Sequence, residues 1–184
     1  MPPTPSGFVV WLTGLPCSGK STLSDLLEKK LRDHEYKVEK LDGDAVRKNL
    51  SSDLGFSKKD REENIRRVAA VAAVFSKNGA AVLVSLVSPY RQMRQNAREQ
   101  IENFIEVHVR CPLKICEERD TKGMYALARL GKISAFTGVS DPYEEPTNPE
   151  VTVDTDKADV DFCAEEIMAC LERSGFLKKT ANKK

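Results

Sequence analysis

The chain has 184 residues, of which 40% are hydrophobic and 31% charged, with a formal net charge of +1. Length and composition suit one compact domain spanning 1–184 with a single substantial core, and the balanced charge excludes a global attraction to nucleic acid or to an anionic membrane. The five cysteines (Cys17, Cys111, Cys116, Cys163 and Cys170) form an odd set without a C-x-x-C pair and there are only two histidines, which argues against a disulfide framework or a zinc site and for a reducing, cytoplasmic setting.

Residues 1–6 carry no basic leader, and the apolar run that follows is too short for a signal or membrane helix. That run, 8–13, reads as a strand. It leads into Gly14-Leu15-Pro16-Cys17-Ser18-Gly19-Lys20-Ser21 and then into a helical pattern from Thr22 to 34, the strand, glycine loop and helix context of a phosphate-binding P-loop. In such a turn successive backbone N–H groups converge on the phosphates of ATP. Lys20 adds a point charge near the β/γ oxygens, and the Ser21 hydroxyl is a candidate Mg²⁺ ligand.

A short strand at 38–41 ends in Leu41-Asp42-Gly43-Asp44-Ala45-Val46-Arg47, which puts two carboxylates where a strand gives way to a helix. Phosphoryl transfer needs a group there to orient the attacking hydroxyl. Asp44 is the choice for that role and a second candidate Mg²⁺ ligand, while Asp42 reads equally as a helix N-cap. The next helix, 58–77, has Ile65, Val68, Ala72 and Phe75 as its buried stripe. Glu62 with Arg66 and Glu63 with Arg67 have the i,i+4 spacing of exposed ion pairs, whereas Arg61 and Asn64 sit beside the stripe and suit a phosphate- or sulfate-bearing small molecule. Phe56, by composition alone, reads as core.

Further strands are expected at 80–87, 104–109 and 151–154, with helices at 89–102 and 158–174. Strands alternating with helices predict an α/β fold of three α/β/α layers with a mainly parallel sheet. Ligands in such folds sit beyond the carboxyl ends of the strands. From 120 to 149 glycines and prolines break the pattern into short helical pieces, as in a mobile lid. His108 is expected to be a packed or edge residue, the four later cysteines buried thiols, and 1–6 and 178–184 solvated tails.

Taken together, these residues resemble the adenylylsulfate kinase (APS kinase) family of sulfate assimilation. The resemblance runs from Trp11 to about Glu172, through the P-loop, Leu41-Asp42-Gly43-Asp44, Leu54-Gly55-Phe56-Ser57, Glu63-Asn64-Ile65-Arg66-Arg67, Ser88-Pro89-Tyr90-Arg91, Lys122-Gly123-Met124-Tyr125, Phe136-Thr137-Gly138 and Asp154-Thr155. It implies transfer of the ATP γ-phosphoryl to the 3′-hydroxyl of adenosine 5′-phosphosulfate, with Mg²⁺, in a homodimer. By the same matching Gly14 to Thr22 and Arg119 would meet ATP. Asp44, Arg47, Phe56, Arg61, Asn64, Val87, Ser88, Lys122 and Phe136 would meet the sulfonucleotide, its adenine lying between Phe56 and Phe136, which reverses the core reading of Phe56. Ser88 matches a serine proposed in bacterial members to carry a phosphoryl group, although in-line transfer needs none. Pro16 and Cys17 stand where small residues are usual, and Ser134 where a lysine is common. A related kinase acting on another small acceptor such as cytidine diphosphoramidate, and a non-catalytic nucleotide sensor, are the alternative readings.

Overall fold

The apolar runs become the strands of one five-stranded, all-parallel sheet, in a computed structural model that describes residues 7–177. The expected tails at 1–6 and 178–184 lie outside the described residues. In chain order the elements are β1 (Phe8–Thr13), α1 (Lys20–Asp33), β2 (Val38–Asp42), α2 (Gly43–Asn49), α3 (Lys58–Lys77), β3 (Ala81–Ser85), α4 (Arg91–Gln100), β4 (Phe104–Arg110), α5 (Leu113–Arg119), α6 (Met124–Arg129), β5 (Val151–Asp154) and α7 (Val160–Arg173). The strand order is β2-β3-β1-β4-β5.

Side chains of β1 alternate between the two faces of the pleat. Phe8, Val10 and Leu12 pack with Leu23, Leu27 and Leu31 of α1 and with Ile167 and Leu171 of α7. Val9 and Trp11 pack with Ile65, Val68 and Ala72 of α3 and with Met93 and Ala97 of α4. Helices therefore cover both faces, which is why the strands read as continuous apolar runs rather than as alternating ones. A third, smaller cluster of Cys111, Cys116, Tyr125, Ala128 and Phe136 seats the 120–149 segment beside the P-loop residues Leu15 and Cys17.

Several boundaries differ from expectation, each for a local reason. The third strand ends at Ser85 rather than Val87, because Thr13 Oγ1 captures the Val87 carbonyl at 2.7 Å and Ser88 turns with φ +41°. Helix α4 begins at Arg91, since Tyr90 is extended and forms its N-cap. Helix α3 starts behind a capping box in which Ser57 and Asp60 exchange side-chain to backbone hydrogen bonds. The expected Glu62–Arg66 pair gives way to Glu63, which takes Arg66 at i+3 (2.7 Å) and Arg67 at i+4 (2.8 Å). Asp53 completes the Arg67 fork. His108 is 5% exposed in β4, between β1 and β5, so it is packed and not at an edge. Cys111, Cys116, Cys163 and Cys170 are buried free thiols, as expected, and burial pushes the Cys116 thiol up to about 12.

Candidate active site

The connections after β1, β2 and β3, together with segments that follow β4, converge beyond the carboxyl ends of the strands around a cavity of about 1040 Å³. This is at the upper end of the volumes usual for small-molecule sites, roughly 300–1,000 Å³. One wall is the P-loop and the start of α1. The opposite wall comes from α2, the loop before α3, α3 itself, the Ser85 to Pro89 connection and the 120–149 segment.

The P-loop turn is possible because Gly14 has φ +156° and packs against the Val109 carbonyl, where a Cβ would come within 2.4 Å of that oxygen. Gly19, at φ +99°, is the N-cap of α1 and offers no side chain to its first amides. The uncapped N–H groups of the first turn therefore face the cavity mouth without a protein acceptor, an arrangement suited to an anion. Pro16 and Cys17 also line the cavity, with Cys17 held at φ +60°. Gly14, Leu15 and Ser18 do not line it. Ser18 is fully buried and its amide donates to Leu15 O at 3.2 Å, so these residues shape the loop from behind.

Lys20 is 8% exposed and its ammonium donates to the carbonyls of Gly14 (2.9 Å) and Leu15 (2.6 Å). Desolvation lowers it from 10.5 to about 8, against the upward pull of Cys116, Cys17 and Asp42. Ser21 Oγ donates to Asp42 Oδ2 at 3.0 Å, and Asp42 Oδ1 accepts from Asp44 N at 3.1 Å. Asp42 thus does both things the sequence left open: it caps α2 and sets a carboxylate against the P-loop hydroxyl. A hydroxyl beside carboxylate oxygens is the hard donor set that Mg²⁺ takes, usually with only one or two carboxylates and the remainder water and phosphate. No cluster of three or more His, Cys, Asp or Glu suited to a metal occurs among the described residues.

On the facing wall the Asp44 carboxylate pairs with Lys122 across the cavity mouth, which raises the lysine pKa. Arg47 donates to Gly55 O at 2.7 Å and lies 4.7 Å from the Phe56 ring centroid. Arg61 donates to Phe56 O at 3.0 Å and to Ala135 O. Phe56 is 59% exposed at the mouth, against the composition-only reading of core. Phe136 lines the same cavity but packs edge-on against Tyr125 at 5.0 Å. Asn64 is buried, and its Oδ1 has no hydrogen-bond partner among the described residues. A buried acceptor without a partner on a cavity wall is open to a polar ligand. Val87 and Ser88 form the floor. Ser88 is 2% exposed, and its Oγ accepts from Trp11 Nε1 at 3.1 Å and donates to Leu86 O at 3.4 Å.

Three site residues escaped the sequence reading or were left outside its site. Thr155 Oγ1 donates to Ser18 O at 2.8 Å, and Thr155 O accepts from Arg119 at 2.6 Å, so this threonine ties the expected ATP contact Arg119 to the P-loop. Tyr125 OH donates to Pro16 O at 3.0 Å. The third is Asp42. All three stood inside motifs named above, but nothing in the sequence pointed to their bonds with the P-loop.

A P-loop on the central strand, a lysine and hydroxyl aimed at its mouth, and an acid-and-arginine wall facing it define a P-loop small-molecule phosphotransferase. The family model of adenylylsulphate kinase matches residues 6–154. The chain belongs to the adenylylsulphate kinase family. An adenylyl-sulfate kinase of Rippkaea orientalis is 51% identical, the match covering 94% of this chain and 96% of that protein. Among solved structures, the APS kinase of Mycobacterium tuberculosis in complex with AMPPNP and APS superposes with a TM-score of 0.87 at 43% identity, over 91% of this chain and 99% of that one. A hexameric APS kinase from Thiobacillus denitrificans matches at 35% identity and a TM-score of 0.74, over 95% of this chain but 30% of that one.

Proposed function

We propose that the protein transfers the γ-phosphoryl group of ATP to the 3′-hydroxyl of adenosine 5′-phosphosulfate, giving 3′-phosphoadenosine 5′-phosphosulfate and ADP. The observation that carries this is that one cavity is bounded by both Lys20 and Ser21 and by Asp44, Arg47, Phe56, Arg61 and Asn64, so donor and acceptor share one space. Family membership supports the same reading.

In this reading the amides of Cys17 and of Gly19 to Thr22 hold the ATP phosphates, and Lys20 leaves the Gly14 and Leu15 carbonyls for the β/γ oxygens. Arg119, braced by Thr155, meets the ATP base or ribose. Ser21, with Asp42 and Asp44, would hold Mg²⁺, which would supply charge neutralisation for the phosphates. Asp44 orients the acceptor hydroxyl and takes its proton, which requires Lys122 to release the carboxylate and turn to the acceptor's own anionic groups. Arg47 and Arg61 face the phosphosulfate, Phe56 and Phe136 the adenine, and Asn64 a polar edge of the same nucleotide. Val87 and Ser88 line the sugar. The chain is read as one domain, with 120–149 as its cover, working in the cytoplasm as a homodimer.

An ADP-release assay with adenosine 5′-phosphosulfate, AMP, a cytidine nucleotide and water as acceptors tests the reading. Turnover with the first alone is expected. Turnover with the cytidine nucleotide instead would move the acceptor, and none with any would leave a nucleotide sensor.

A further inference from the structure

Helix α4 buries an arginine to which the roles above assign nothing. Arg94 is 2% exposed. Its guanidinium donates from Nε to Glu106 Oε1 at 2.7 Å, from Nη1 to the Ser88 carbonyl at 2.6 Å and from Nη2 to the Glu144 carbonyl at 2.7 Å. A buried cation is tolerated only when paired and fully hydrogen-bonded. Glu106 of β4 supplies the pairing, and is itself backed by Arg98 and by Glu150, whose Oε2 accepts from Glu106 N at 2.6 Å. The other two arms of the fork go to main-chain carbonyls.

The three acceptors belong to parts of the chain that meet only here. Glu106 lies in the sheet. Ser88 belongs to the cavity floor, in a left-handed conformation at φ +41° that an L residue keeps only when its surroundings hold it. Glu144 lies on the strap that leads back from the 120–149 segment to β5, and the strap is stitched to the same place by Glu144 N on Pro89 O at 2.7 Å and by Arg91 N on Glu144 Oε2 at 2.8 Å. A few residues earlier, the amides of Val139, Ser140 and Asp141 all donate to the Phe136 carbonyl, and Gly138 N donates to Asp141 O. The turn that presents Phe136 is therefore continuous with the strap that Arg94 grips. No bond joins Arg94 to the P-loop, α1, Arg119 or Thr155 among the described residues.

We propose that Arg94 is a positioning residue for the acceptor. One planar fork references the Ser88 floor and the Phe136 turn to β4, and so sets the affinity for the sulfonucleotide without touching it, while it makes no bond of its own to the ATP half. The inference rests on the kinase reading above. A lysine keeps the charge opposite Glu106 but as a single ammonium lacks the rigid fork that serves three directions at once.

The test is Arg94→Lys with two readouts. In steady-state assays the KM for adenosine 5′-phosphosulfate is expected to rise about tenfold or more while the KM for ATP stays within about twofold. In the free protein the emission of Trp11, the only tryptophan, is expected to shift, because its indole N–H is bonded to Ser88 Oγ. A folded variant, judged by circular dichroism, with unshifted emission and equal changes in the two KM values would overturn the proposal. If wild type gives no turnover with this acceptor, the kinase reading fails, and the emission arm, which needs no nucleotide, still decides whether Arg94 holds Ser88. Should Arg94→Lys not fold, the double variant Arg94→Met with Glu106→Gln removes both buried charges together, and the same two readouts apply with the same outcomes.

Discussion

The donor and acceptor halves of the cavity are made of different material. In the proposed reading the donor half is the P-loop and the first turn of α1, with Arg119 added from α5, working mainly through backbone amides at an uncapped helix start. The acceptor half borrows side chains from α2, the loop before α3, α3, the β3–α4 connection and the 120–149 segment. Main-chain amides, which every residue but proline carries, suffice for phosphates, which every nucleoside triphosphate shares. Recognition of one particular acceptor needs side chains, brought from several places and held there.

The comparison predicts which substitutions act on chemistry and which on selection. Lys20→Met should have the largest effect, lowering kcat by about 10²–10³-fold in an ADP-release assay. Its thermal midpoint at pH 7 should not fall, because burial has already lowered the ammonium to about 8. The buried charge costs stability below pH 8, and this cost is relieved as pH rises from there toward 10.5. Asp44→Asn should lower kcat by about 10²-fold with little change in either KM; an unaltered kcat would remove the acid from the mechanism. Phe56→Ala acts on selection alone, since the ring is exposed in the free protein. It should raise the KM for adenosine 5′-phosphosulfate about tenfold, a stacking contribution, and leave the melting temperature unchanged.

Two smaller effects sharpen the donor side. Lys20 titrates near 8 in the free protein, so kcat/KM for ATP should fall roughly fourfold between pH 7 and 8.5 as the ammonium loses its proton; a flat profile would mean that it stays charged. Cys17→Gly relieves a φ of +60° and should stabilise the protein by up to about 1 kcal/mol, net of the unfolded-state entropy of glycine, measured by denaturant titration. The same cysteine lines the cavity, so ATP should slow its alkylation, whereas Cys116, raised to about 12 and buried, should not react at all.

The same contrast explains what could be read from sequence. The P-loop, the five strands and α3 were legible because their signals are local: a fixed spacing, doubly buried apolar runs and a helical stripe. Asp42 and Thr155 were visible as motif residues, but their bonds to Ser21 and Ser18 cross between segments. Helices α5 and α6 are seven and six residues long, too short to show a period. Only the Asp120 carboxylate, accepting from the amides of Tyr125 and Ala126, marks where α6 begins. Arg94 stands in a helix as charged as Arg91-Gln92-Met93-Arg94-Gln95-Asn96, where no pattern separates the one buried guanidinium from its exposed neighbours. Phe56 misled for the opposite reason, since an aromatic ring normally buys its place in a core and this one lies open beside two arginines.

The hydroxyl of Ser88 is closed in by the indole of Trp11 behind it and by Leu86 O. The proposed in-line transfer needs no phosphorylated serine between the two nucleotides. The phosphorus then changes partners once, and a chiral isotopically labelled γ-thiophosphate should emerge with its configuration inverted rather than retained.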